Sequence, residues 1–237
     1  MISASVKNKQ DIRHGIRVLQ LEATTEFSWK AGQYTRLTFG NFPPRPYSIA
    51  NAPNSHAHAQ LHAAPHSLIE IHVKDSGTNG ASTYAVKHLK PGETVKIGEA
   101  EGESFYNAER DSTRPLLLIG GGLGVAPLKA IAEEALLNIK TAQPVYLYWG
   151  ARQADDLYIA DYFHGLAKTH AHFHFVPVIG GMVGESAAAG FDNLKGLSIF
   201  IAGPEALSAA TIPLLLQKGA KKAHIHYDEF KRTTGTA

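Results

Sequence analysis

The apolar run Leu116-Leu117-Leu118-Ile119 ends in Gly120-Gly121-Gly122-Leu123-Gly124-Val125-Ala126-Pro127, and this junction limits the fold more than any other segment. Consecutive aliphatic residues between polar flanks predict a strand buried on both faces, as in a parallel sheet. The glycines then make a tight turn. Pro127 suits the first turn of a helix, where its missing N–H needs no partner. Strand, glycine turn and helix in that order expose backbone amides at the positive end of a helix dipole, a setting that favours phosphate. The segment departs from G-x-G-x-x-G in having proline in place of the third glycine, and glycine turns also serve simply to pack a helix closely on a strand. On these residues alone both readings stay open.

The rhythm around this junction divides the chain. Before it, residues 16–21, 34–39 and 68–73 alternate apolar with polar, and Pro43, Pro44, Pro46, Pro53, Pro65, Pro91 and Gly92 punctuate them. That pattern predicts a small antiparallel β-barrel over 1–107, with one helix from 82 to 89 stopped by Lys90-Pro91-Gly92. The polar segment 107–114 reads as a linker. Beyond it come strand 116–119, helix 127–140, strand 145–149, helix 156–169, strands 173–178 and 198–202, helix 204–218 and strand 223–227. Alternation of this kind predicts an α/β doubly wound parallel sheet over 114–237. Residues 180–190 show no periodicity and read as a mobile loop, and 231–237 as a frayed tail.

Composition excludes several chemistries. The chain of 237 residues has no cysteine, so it has no disulfide, no cysteine-ligated iron–sulfur cluster and no thiol nucleophile. A net charge of +2 is too mild to argue for nucleic acid, and no basic run argues for a membrane surface. No stretch approaches the ~20 apolar residues needed to span a bilayer, and the N-terminus lacks the apolar core of a signal peptide; a cytoplasmic protein is expected. His56, His58, His62 and His66 share a loop, and His170, His172 and His174 alternate along a strand. With no cysteine or clustered carboxylate beside them they read as solvent-facing, not as metal ligands. Trp29 and Trp149 read as core.

Arg45-Pro46-Tyr47-Ser48 places a cation, an aromatic face and a hydroxyl within four residues. One reading is an edge strand; the other has Arg45 on a phosphate, Tyr47 stacked on an aromatic ring and Ser48 offering its hydroxyl. Gly80-Ala81-Ser82 opens the barrel's helix, a second candidate phosphate site with Ser82 as a capping hydroxyl.

Taken together, Ala31-Gly32-Gln33-Tyr34, Arg45-x-Tyr47-Ser48, Gly80-x-Ser82, Gly121-Gly122-x-Gly124-x-x-Pro127, Ala202-Gly203-Pro204 and Asp228-x-Phe230 resemble the motifs of the ferredoxin–NADP reductase superfamily, in its order and over residues 2–230. Tyr148-Trp149-Gly150-Ala151-Arg152 with Asp156-Leu157-Tyr158 is most similar to the stand-alone bacterial NAD(P)H:flavin reductases. The chain departs from many members at Leu123, where they have threonine, and at Ala202, where they have cysteine. The resemblance implies a flavin-binding barrel, a nicotinamide-nucleotide domain and hydride transfer to flavin N5. It implies Tyr47, Ser48 and Asp228 at the reacting centre. Cofactor contacts would come from Arg45, Tyr47, Ser48, His72, Val73, Lys74, Gly80, Ala81, Ser82, Gly121, Gly122, Gly124, Pro127, Arg152, Ala202, Gly203, Pro204 and Phe230, with no metal.

The implied cofactors are FAD, or FMN, held tightly or exchanged, and NADPH or NADH. Arg152 leans the choice towards NADPH by offering a cation to a 2′-phosphate, against a surface pairing with Asp155 or Asp156. Electrons would pass to free flavin or to a separate ferredoxin, flavodoxin or oxygenase. The alternatives are an FAD-binding electron-transfer subunit of a larger complex and a non-redox nucleotide-binding module.

Overall fold

The computed structural model describes residues 1–12, 15–53 and 68–228. Six antiparallel strands form the first sheet: β1 (Ile2–Asp11), β2 (Ile16–Ala23), β3 (Tyr34–Thr38), β4 (Arg45–Ser48), β5 (Leu68–Lys74) and β6 (Thr94–Glu101), in the order β4-β3-β6-β1-β2-β5. A bridge between Ile49 and Ile71 joins the two ends of that order, so the sheet closes on itself. Along β5 the two-residue period sends Ile69, Ile71 and Val73 into the barrel core and leaves Leu68, Glu70 and His72 on the other face, where they too are buried. That second face is covered by the rest of the chain. Helix α1 (Ala81–Lys87) matches the expected position, stopped by the turn at Pro91-Gly92.

The second sheet is parallel and has the order β11-β10-β7-β8-β9, from β7 (Leu116–Gly121), β8 (Val145–Ala151), β9 (Phe173–Ile179), β10 (Ser198–Ala202) and β11 (Ile225–His226). The strand direction of travel reverses between β7 and β10, and a doubly wound sheet opens its ligand crevice at that point. Helix α3 (Val125–Glu133) follows the glycine turn and is buried along its whole length, continuing as a π turn over Glu134–Asn138. It starts two residues before Pro127, because Gly122–Gly124 form a 3₁₀ turn that leads straight into it. Helices α4 (Ala160–Thr169) and α6 (Glu205–Gln217) complete the cover with a shorter α5 (Val183–Ala189).

One expectation needs correction. Residues 180–190 are not a loop throughout, since α5 occupies most of them and buries Val183, Gly184, Ala187 and Ala188. The helix is short and built of small residues because it packs closely. A Cβ on Gly184 would run into Thr211, and one on Gly150 would run into Val183. The polar segment 107–114 carries helix α2 (Ala108–Asp111), capped by Asn107, whose Oδ1 accepts from the amides of Glu109 and Arg110. Asp111 is fully buried and accepts hydrogen bonds from Ser198 Oγ (2.7 Å) and the Asn107 amide (2.8 Å). The segment is therefore anchored to β10.

Trp29 and Trp149 are both core residues. His174 stacks on Tyr146 with ring centroids 4.8 Å apart, and no group of three metal-ligating side chains converges among the described residues. His56, His58, His62 and His66 lie outside the described residues, as does 231–237. Among the described residues no helix is long and apolar enough to cross a membrane.

The edge strand β11 carries a pH-dependent stability. His226 lies against Phe200, 4.9 Å between centroids, and its Nε2 is buried without a partner. Burial first, and the nearby Arg110 second, push its pKa down to about 4. A folded value below the unfolded one means that the contribution is complete above pH ~6.5 and is lost as pH falls through about 4. Allowing for solvent screening, His226→Phe should recover roughly 1 kcal/mol at low pH, or about 2–4 °C of Tm at pH 4.5 relative to its effect at pH 7. Equal shifts at both pH values would show that His226 does not titrate in this way.

Candidate active site

A cleft of about 940 Å³ opens where the two sheets face each other. The barrel contributes Tyr47 and Ser48 from β4, His72 and Lys74 from β5, and Gly32 and Ser104 from loops. The parallel sheet contributes the turn after β7 (Gly121, Gly122, Leu123, Gly124), the end of β8 (Gly150, Ala151, Arg152) and the turn after β10 (Ala202, Gly203, Pro204). Each follows a strand's carboxyl end, as the topology requires.

Two glycines in this wall are needed for its shape. Gly122 has φ +55°, a conformation costly for other residues, and its carbonyl accepts a hydrogen bond from Trp149 Nε1 at 2.9 Å. Gly124 is in contact with the Ala202 backbone, and a Cβ there would collide with the Ala202 carbonyl. The turns after β7 and β10 thus meet at the switch point. No acidic residue stands in the first turn of the 3₁₀ segment or of α3, so no carboxylate competes with an anion there.

On the barrel side Tyr47 is half-buried, its ring edge-on to Phe39 at 5.4 Å. Burial pushes its phenol up to about 12, with Arg45 pulling weakly the other way, so the hydroxyl keeps its proton. Asp228 lines the cleft and accepts hydrogen bonds from the Glu103 amide (3.0 Å) and the Ser104 amide (3.2 Å). Burial raises its pKa above the ordinary carboxylate value, against those two hydrogen bonds.

Other expected residues fall elsewhere. Arg45 is exposed on β4 beside Tyr47 and does not line the cleft. Val73 points into the barrel core, so only its backbone is available to a ligand. Gly80, Ala81 and Ser82 open α1 away from the cleft lining, and Ser82 does not cap the helix; its hydroxyl is committed to Ser76 Oγ at 2.9 Å. Phe230 lies outside the described residues. Pro127 lines the cleft. Sequence reasoning gave no site role to Tyr158, Asp156 or Met182, which also line it. The first two stood in a quoted motif; Met182 carried no signal.

Residues 118–211 match the oxidoreductase NAD-binding domain family. Over 243 aligned residues the chain is 30% identical to the NAD(P)H-flavin reductase of Aliivibrio fischeri, spanning 97% of this chain and 98% of that protein. The chain belongs to the ferredoxin–NADP reductase superfamily. Within this superfamily it is also 28% identical to the ferredoxin–NAD(P)(+) reductase component of the naphthalene 1,2-dioxygenase system of Pseudomonas putida, over 97% of this chain and 69% of that protein. Its fold superposes on a cytochrome P450 reductase of Amycolatopsis with a TM-score of 0.84 at 27% identity, covering 97% of this chain and 69% of that one. As a superfamily member it is an NAD(P)H-dependent flavoprotein reductase, and its fold is the barrel and doubly wound sheet that the sequence predicts.

Proposed function

We propose that the cleft transfers a hydride from NADPH to an exchangeable flavin, with 1–107 holding the flavin and 114–237 the nicotinamide nucleotide. The observation that carries this reading is the meeting of Tyr47 and Ser48 with the turns after β7 and β10 across one cleft. A bound flavin would supply the hydride-accepting ring, taking one hydride from the nicotinamide and one proton.

The chain's part is to bind, orient and exclude water. Tyr47 offers a ring face, and Ser48 a hydroxyl, to the isoalloxazine. The amides of the Gly122–Gly124 turn suit a pyrophosphate, and the small side chain of Ala202 leaves room for two rings to approach. Asp228 lines the same cleft, its Oδ1 held by the Glu103 and Ser104 amides. Gly80 and Ser82, the residues expected on a flavin pyrophosphate, stand outside the cleft lining.

Desalted protein should be colourless and should oxidise NADPH only when FMN, FAD or riboflavin is added. A yellow protein that bleaches with NADPH would favour a resident flavin and a protein acceptor. No oxidation under either condition would contradict the reading. Arg152 and Asp156 both line the β8 end of the cleft. Arg152→Ala should raise KM for NADPH about 10-fold, the worth of one charge-assisted phosphate contact, and leave KM for NADH nearly unchanged. Parallel changes for both nucleotides would remove the 2′-phosphate role.

A further inference from the structure

Glu70, Lys129 and Glu133 are ionisable and almost wholly buried, at 8%, 6% and 1% exposure, and none of them lines the cleft. Lys129 Nζ lies 3.0 Å from Glu70 Oε1 on the barrel and 2.7 Å from Glu133 Oε1 one turn further along α3. It also donates to the Ala50 carbonyl at 3.1 Å. Glu133 takes hydrogen bonds from the Tyr162 hydroxyl (2.6 Å) and the Ala52 amide (2.9 Å). Apolar side chains could join two units as firmly as buried charges do; charges and hydrogen bonds add a fixed geometry.

One arm of this network reaches the cleft. His72 Nε2 is 2.9 Å from Glu70 Oε1, and its Nδ1 is 2.7 Å from the Tyr158 hydroxyl. Burial, and secondly the Glu70 charge, hold the Tyr158 phenol well above its usual pKa, so it keeps its proton. The self-consistent arrangement has Tyr158 O–H donating to Nδ1 and Nε2–H donating to Glu70. Tyr158 in turn meets Trp149 edge-on, centroids 5.4 Å apart, and Trp149 Nε1 donates to the Gly122 carbonyl. An unbroken series of contacts therefore runs from barrel strand β5, through His72, Tyr158 and Trp149, to the glycine turn of the other sheet.

We propose that Tyr158 is a positioning residue for hydride transfer: its bridge from His72 to Trp149 fixes the spacing between the barrel wall and the glycine turn. The gap between the two bound rings is then set by the chain and not by the ligands alone. This rests on the flavin–nicotinamide reading above. Tyr162 offers an internal comparison, because its hydroxyl also makes one buried hydrogen bond, to Glu133, with donor and acceptor both in the parallel-sheet unit.

The test compares Tyr158→Phe with Tyr162→Phe in the full chain, using NADPH and FMN under anaerobic single-turnover conditions. Each variant loses one buried phenol hydrogen bond, and Tyr162→Phe, whose partner is the Glu133 carboxylate, should lower the melting temperature at least as much as Tyr158→Phe. FMN affinity, read by quenching of flavin fluorescence, should stay within about 3-fold of wild type in both, less than one ordinary hydrogen bond is worth. Only Tyr158→Phe should slow flavin reduction, by about 10-fold or more at saturation, because ångström-scale misplacement of reacting groups is costly. Only Tyr158→Phe should alter the tryptophan emission through Trp149. His72→Leu cuts the same bridge from the barrel side, and combined with Tyr158→Phe it should add little further slowing. Equal rates in the two Phe variants, or additive losses in the double variant, would overturn the positioning role alone. A wild-type chain that never reduces FMN, FAD or riboflavin would overturn the flavin reading, and this inference with it.

Discussion

Lys129→Met should destabilise this protein by about 3–5 kcal/mol, the usual cost of stranding a buried charge, and lower Tm by roughly 6–20 °C. Its ammonium lies within salt-bridge distance of both Glu70 and Glu133. The change keeps the helix and much of the side-chain volume. In the wild type, burial pushes the Glu70 pKa up, but the Lys129 charge and the His72 hydrogen bond outweigh it and hold the carboxyl well below its ordinary range. That depressed value contributes stability above the unfolded pKa and loses it as pH falls. Removing the ammonium takes away the largest opposing charge and leaves burial against the His72 hydrogen bond, so the folded variant takes up protons more readily than the folded wild type. The deficit of Lys129→Met relative to wild type should therefore be larger at pH 7 than at pH 5. Thermal melts at the two pH values check this. A deficit below 1 kcal/mol, or one that grows on acidification, would mean that the network is hydrated and contributes little.

Gly124→Val should have the largest effect on catalysis at the smallest change in composition. A Cβ at this position meets the Ala202 carbonyl, so the turns after β7 and β10 must separate. That displaces the wall assigned to the nicotinamide nucleotide, and displacement of about 1 Å is enough to cost about 100-fold in rate. The expected result is a loss of at least that size in kcat/KM for NADPH, with FMN affinity close to wild type because Tyr47 and Ser48 lie on the barrel. The two measurements separate a local clash from unfolding, which would remove flavin binding as well. Unchanged kcat/KM would show that the nucleotide does not use this turn.

Much of the fold was legible because its elements follow one period at a time. The 116–119 run, the 198–202 strand and the barrel's alternating strands announce burial on two faces or one. Helix α5 was not, since its packing relies on Gly184 against Thr211 and on alanines, residues that carry little apolar contrast in a sequence. The site was legible where a motif forces the backbone, as at Gly121–Gly124 and Ala202–Pro204. It was not legible where distant residues meet. Glu70 and His72 stand two positions apart on β5, and Lys129 and Glu133 interrupt an otherwise apolar helix four apart. Those spacings put each pair on one face, a signal that was available. Their mutual contact depends on how the two units pack, which no local pattern states.

Direct hydride transfer across the cleft is measured by stopped-flow reduction of FMN with NADPH carrying deuterium at nicotinamide C4. Anaerobic bleaching of the flavin band should depend on the protein and slow with deuterium, and Gly124→Val should remove the fast phase. Flavin bleaching at the same rate without the protein, or no bleaching with it, would rule out hydride transfer in this cleft.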